Sequence, residues 1–147
     1  MMLKYFILLL LPAALLSLNC GDKQTVSRDH IPVIKKQFYT LQEAVKNRDT
    51  AELDSLISEA MLDDDMDTDS LFGFVYGADG SFAFDRFGEY EIFYTNKKAR
   101  VDCYIQDSTL TKDRPAVFTF IFDDDRWLLK RFEAGHPRKD IDTSGTE

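Results

Sequence analysis

Two cysteines, two histidines and seven glycines are all that 147 residues supply of these types, and each scarcity removes a class of chemistry. His30 and His136 stand in no recognisable pattern with Cys103 or a serine. A nucleophilic triad and a histidine-rich metal site therefore lack their parts. No glycine-rich loop precedes a helix; Gly77 and Gly80 are spaced as a turn, which excludes a phosphate cradle. No internal repeat is present, and no motif calls for a cofactor. Long apolar runs are missing too: Tyr5 to Leu18, broken by Pro12 and Ser17, falls short of the ~20 residues that cross a bilayer. Positive charge is also short. All 26 acidic residues and 17 of the 18 basic ones follow residue 19, so the side chains beyond it sum to −9. That balance disfavours nucleic acid, whose binding rests on neutralising phosphates, and disfavours lying flat on anionic lipid.

What is present begins with Met1-Met2-Leu3-Lys4, one positive charge ahead of the apolar run and an abrupt change to polar residues. This is the pattern of a secretory signal. At its end, Leu16-Ser17-Leu18-Asn19-Cys20-Gly21 resembles the lipobox of bacterial lipoproteins, with Ser17 and Asn19 standing where other residues are commoner. The resemblance implies cleavage after Asn19 and a diacylglyceryl thioether with added palmitate on Cys20. A buried methylene contributes ~0.8 kcal/mol, so two or three acyl chains hold durably where one does not. The expected organisation is a signal peptide over 1–19, a lipidated tether over 20–28, a single α+β domain over 29–134 and a disordered tail over 135–147. The expected location is the bacterial cell envelope, lipid-anchored on the extracytoplasmic side, periplasmic or at the cell surface. With Cys20 acylated, Cys103 has no disulfide partner; it alternates with Val101 and Ile105 and reads as a small buried hydrophobe.

Ile31, Ile34, Phe38, Leu41 and Val45 recur at three and four residues, predicting a helix through Asn47 with Asp29 as its cap. Asp49-Thr50-Ala51-Glu52 has capping-box spacing and opens a second helix carrying Leu53, Leu56, Ile57 and Met61. An acidic connection over 63–69 leads to a third helix with Leu71, Phe74 and Val75 inward, stopped by Gly77. From Phe82 the period becomes two. Strands are expected over 82–86, 89–95, 99–107, 115–122 and 127–133, with turns at Asn96-Lys97-Lys98 and Asp123 to Arg126. Helices first and strands after give helices on one face of an antiparallel sheet. Val117, Thr119 and Ile121 alternate with Phe118, Phe120 and Phe122, so both faces of that strand call for cover.

The helical pair from Phe38 to Leu56 and the closing hairpin, Val117 to Phe122 and Arg126 to Phe132, resemble the nuclear transport factor two-like superfamily, which includes ketosteroid-isomerase-like and cystatin-like cone folds. The resemblance covers most of residues 30 to 134. It implies a curved sheet wrapping a long helix around a cone-shaped pocket, and a homodimer through the outer face of the sheet. It carries no catalytic residue onto this chain, because no local motif fixes one.

Isomerase-like members work through a carboxylate base and a tyrosine or acid donor in an apolar pocket. Asp85, Asp102, Tyr39, Tyr90, Tyr94 and Tyr104 are the residues of those types here. Arg100, Asp102 and Tyr104 share one side of a strand and are the ligand-pocket candidates, as a polar wall or a solvated face. Asp65, Asp67 and Asp69 have calcium-loop spacing, but Ser70 and Tyr76 stand where an EF-hand loop needs Gly and Glu, so no metal site is assigned. The expectation is a non-catalytic, membrane-anchored domain that binds a small apolar ligand or another envelope protein. The alternative is a small isomerase or dehydratase using a carboxylate and a tyrosine in the cone.

Overall fold

A computed structural model describes residues 29–110 and 112–136. Four helices precede four strands: α1 (Ile31–Asn47), α2 (Thr50–Leu56), α3 (Glu59–Asp63), α4 (Thr68–Tyr76), then β1 (Phe84–Tyr94), β2 (Lys98–Asp107), β3 (Arg114–Asp123) and β4 (Arg126–Ala134). The strands form one antiparallel sheet in sequence order, β1-β2-β3-β4. The helices pack on one face of it.

Helix α1 forms where the apolar stripe predicts it, with Ile34, Phe38, Leu41 and Val45 all buried. Pro32 falls in its first turn, where a missing N–H costs nothing. Asp29 Oδ1 accepts from Ile31 N at 3.1 Å. Arg48 ends the helix in the left-handed region (φ 52°), and its guanidinium lies 4.1 Å from the centre of the Tyr76 ring. Asp49 caps α2 by accepting from Glu52 N at 3.0 Å, as the capping spacing requires.

The second predicted helix is two helices. The backbone turns extended at Ile57, which bridges Leu129 of β4, and Ser58 N donates to Leu129 O at 2.9 Å. Ser58 Oγ then accepts from Met61 N to start α3. Met61 sits at helical spacing from Ile57 and is fully buried, which is why the periodicity runs straight through the break. The excursion also covers the free edge of β4. At the opposite edge, Gln42 Oε1 of α1 accepts from Phe87 N of β1 at 2.9 Å. Both sheet edges thus meet polar groups of the helical layer, which blunts strand-to-strand association.

Likewise, the predicted strands 82–86 and 89–95 are one strand. Between the pairs Gly88↔Tyr104 and Glu91↔Asp102 β1 carries one extra residue, with Glu89 at φ 47°. A β-bulge absorbs this irregularity without ending the ladder. Gly88 lies close under Gln106: a Cβ there would come within 2.6 Å of that side chain, whose flexible end would have to move aside. Asp124 and Asp125 form a two-residue turn between β3 and β4, both at positive φ (47° and 59°), the handedness that matches strand twist.

The core between the layers is built from aromatic rings. Phe118, fully buried, lies 4.9 Å from Phe87 and 5.6 Å from Phe38, centre to centre. Phe84 meets Phe87 at 4.8 Å and Phe74 meets Phe132 at 5.0 Å. Tilted and edge-on pairs at these separations add to simple area burial. Polar ties lock the helices together: Thr68 Oγ1 donates to Asp54 at 2.6 Å, and the buried Tyr76 hydroxyl donates to Val45 O at 2.8 Å. Arg114 donates through Nη1 and Nη2 to the carbonyls of Phe74 and Val75, satisfying the C-terminal end of α4 from the start of β3.

Candidate functional site

Directly opposed residues in an antiparallel sheet share a face. The register therefore sorts this sheet into an inner face against the helices and an outer face away from them. Inward go Ala99, Val101, Cys103 and Ile105 of β2 with Ala116, Phe118 and Phe120 of β3, all buried. Outward, Arg100 stands opposite Thr119, which stands opposite Arg131. The next row is Glu91, Asp102, Val117 and Glu133. One row is basic and its neighbour acidic.

Arg100, Asp102 and Tyr104 all lie on this outer face. Arg100 grips Asp102 in a two-point contact, Nε to Oδ1 at 2.6 Å and Nη2 to Oδ2 at 2.8 Å. The three residues line a depression of about 80 Å³ with Pro115, Val117, Gly135 and His136 among others. That volume suits a few water molecules, each taking ~30 Å³ in the liquid. It opens beside a trough of about 470 Å³ that shares Arg100, Val117, Gly135 and His136 and adds Lys98, Thr119 and Glu133. The chain reaches this place because Gly135 N donates to Pro115 O at 2.9 Å, carrying His136 beyond β4 onto the trough wall. Val117 is only 8% exposed although it points outward. Sequence reasoning placed His136 in a tail and missed its company with Arg100; register between β2, β3 and β4 is what joins them.

The inner face holds a different inventory. Cys103 is buried and its thiol is pushed up to about 12, first by loss of solvation and then by the Asp102 charge. It is a neutral thiol at physiological pH, without nucleophilic character. Of the acid and tyrosine residues, Asp85 is exposed and pairs with Lys46 at 3.8 Å, while Tyr39 and Tyr90 are exposed. Tyr94 is at the boundary of exposure and packs on His30. Asp107 and Tyr76 are buried, but Tyr76 serves Val45 O and Asp107 serves Thr109, accepting from its N at 2.7 Å and Oγ1 at 2.6 Å. Burial works against the charge on Asp107, but donation from Thr109, together with the backbone near Ala83 and the Arg114 charge, outweighs it and the net effect lowers its pKa.

In the acidic connection, Asp67 caps α4, accepting from Ser70 N at 2.8 Å and Oγ at 2.7 Å, which lowers its pKa. Asp79 is lowered in the same way by Ser81. Among the described residues no group of three or more His, Cys, Asp or Glu side chains could hold a metal ion. These pKa directions have a consequence for stability. A carboxylate with a lowered folded pKa stabilises the fold above its unfolded value, near 3.9, and that contribution disappears as pH falls through the folded value. The urea midpoint should stay level at neutral pH and fall below about pH 4, with a shallower fall in the triple variant Asp67→Asn, Asp79→Asn, Asp107→Asn. An identical acid profile for the two proteins would contradict this assignment.

Cys20 lies outside the described residues, as do the stretches expected as signal peptide and tether and the chain beyond His136. Among the described residues no helix is long and apolar enough to cross a membrane.

No protein-family model matches the sequence, and no curated protein matches it. A solved structure does: a variant of Rd1NTF2_05, a designed NTF2 protein, aligns with TM-score 0.55 at 17% identity over 73% of this chain and 100% of its own. The fold is nuclear transport factor two-like. The agreement extends over the helical layer and the antiparallel sheet, α+β in class, as the helical pair and closing hairpin suggest. At 17% identity the likeness speaks for the NTF2-like fold alone, and fold does not carry function.

Proposed function

We propose that this chain is a membrane-anchored, extracytoplasmic lipoprotein of the bacterial cell envelope, lipidated on Cys20, whose NTF2-like domain is a non-catalytic binding module. Its recognition surface is the outer face of the sheet. The observation that carries this is the contrast between the two faces. The inner face is spent on aromatic packing, with Phe118, Phe120 and Leu129 each 1% exposed or less. The outer face gathers Arg100, Asp102, Thr119, Glu133 and His136 around a trough with Val117 in its lining.

The two charged rows also make that face self-complementary. A second copy, turned by a half-turn about a line between the rows, sets the Arg100–Arg131 row on the partner's Asp102–Glu133 row. The intramolecular pairs that exist now, Arg100 with Asp102 and Arg131 with Glu133 at 3.2 Å, are partly exposed, so each can be exchanged for an equivalent pair across an interface. An envelope protein offering similar alternating charge would fit the same face. The acid–base alternative needs a carboxylate and a tyrosine hydroxyl turned toward one point in the cone. Tyr76 donates to Val45 O and Asp107 Oδ1 accepts from Thr109, so each is engaged in holding its own part of the fold.

Sedimentation equilibrium of the wild type and of Thr119→Glu tests the outer face. Thr119 sits between Arg100 and Arg131, half-buried, so a glutamate there folds without touching the core. The expected result is a wild-type dimer, or a stable complex with an envelope protein, that the variant loses by about tenfold or more in affinity. A wild type that is monomeric and captures no envelope partner would remove the proposal.

A further inference from the structure

A second concavity lies at the opposite end of β3, where the first turn of α1 meets the β3–β4 hairpin. Asp29 and His30, just before α1, and Val33 in its first turn line one side, and Phe122, Asp125 and Trp127 of the hairpin the other, around a volume of about 350 Å³. Its rings are close together. His30 lies 5.4 Å from Trp127 and 5.5 Å from Phe122, and Phe122 lies 5.3 Å from Trp127; Tyr94, outside the lining, backs His30 at 6.1 Å.

Two features define what such a groove accepts. Ring faces carry negative potential, and the carboxylates of Asp29 and Asp125 add to it, so the favoured guest is a cation, above all an ammonium. Meanwhile Trp127 is 1% exposed, and its indole N–H has no acceptor among the described residues. A buried donor without a partner is costly, and an oxygen on the guest would relieve it. The volume is at the small end for ligand sites, which start near ~300 Å³.

We propose that this groove binds a small alkylammonium group that carries an oxygen acceptor, as phosphoethanolamine and phosphocholine do. The rings of His30 and Phe122 and the two aspartates hold the ammonium, and the oxygen end lies toward Trp127. The site belongs to the binding-module reading but is independent of the lipid anchor, because soluble probes report on it. It is also distinct from the outer-face trough, with which it shares no lining residue.

Trp127 is the only tryptophan in the chain, so its fluorescence reads the site without a label. The full chain in an uncharged maltoside detergent is titrated with phosphocholine, phosphoethanolamine, tetramethylammonium and inorganic phosphate. A saturable change is expected with the first two, at a half-point near or below about 1 mM. Tetramethylammonium should bind more weakly, and phosphate should leave the signal unchanged. Asp125→Asn and Asp29→Asn should each weaken binding about three- to fivefold. Asparagine tolerates the left-handed backbone of residue 125 and keeps an oxygen for Ile31 N at residue 29, so both variants fold. A flat signal with every amine, phosphate acting as well as phosphocholine, or Asn variants that bind like wild type would each overturn the proposal. Competition by vesicles with ethanolamine headgroups, but not glycerol headgroups, upholds the site and makes lipid its source. Binding of soluble probes without vesicle competition upholds it with a free amine as the source.

Discussion

Phe118→Ala lowers the unfolding free energy by about 3–5 kcal/mol, the range for truncating a fully buried phenylalanine. Domains of this size have about 5–15 kcal/mol to lose, so the variant is marginal or unfolded at 37 °C. The reason is geometric. Phe118 is 0% exposed and touches the rings of Phe38 from α1, Phe74 from α4 and Phe87 from β1, so one side chain joins three elements. Removing it empties the centre of the aromatic layer, and rings held at both ends by helices and sheet cannot collapse into the gap. Phe93, 54% exposed on the same sheet, is the control, and its alanine variant should stay within about 0.5 kcal/mol of wild type. Urea unfolding followed by circular dichroism measures both. Equal midpoints for the two variants would mean that the inner face is not packed as described.

How much of this was readable beforehand depends on the range of the interactions involved. Helix α1 and the cap of α2 were legible because their determinants, the Ile34–Val45 stripe and the Asp49–Glu52 spacing, act within one or two turns. Strands β2, β3 and β4 were legible from alternation. The break at Ile57 was not, because what bends the chain there is Leu129, over seventy residues away in sequence. Nor was the fusion of two predicted strands into β1, since a bulge at Gly88 and Glu89 looks like a turn until its partner strand is known. The outer-face trough has the same character. Arg100, Asp102 and Tyr104 could be placed on one side of a strand, but only the pairing of β2 with β3 and β3 with β4 brings Thr119, Glu133 and His136 beside them. The aromatic groove is less legible still, with its halves separated by almost the whole domain.

The inner and outer faces also explain the doubly apolar β3. Its phenylalanines 118 and 120 fill the core, while Val117 and Ile121 line the surface assigned here to recognition. Loss of Phe118 is expected to act on folding and a charge at Thr119 on the proposed association, so the two variants should differ in unfolding and sedimentation experiments.

The largest functional effect is expected at Cys20. A thioether to a diacylglycerol requires the sulfur, so on the proposed lipidation Cys20→Ala removes the attachment point outright. Cells fed radiolabelled palmitate and expressing either form give the decisive comparison. The wild type should carry the label and sediment with membranes, while Cys20→Ala should carry none and leave the membrane fraction. An unlabelled wild type, or label undiminished by the substitution, would contradict the account.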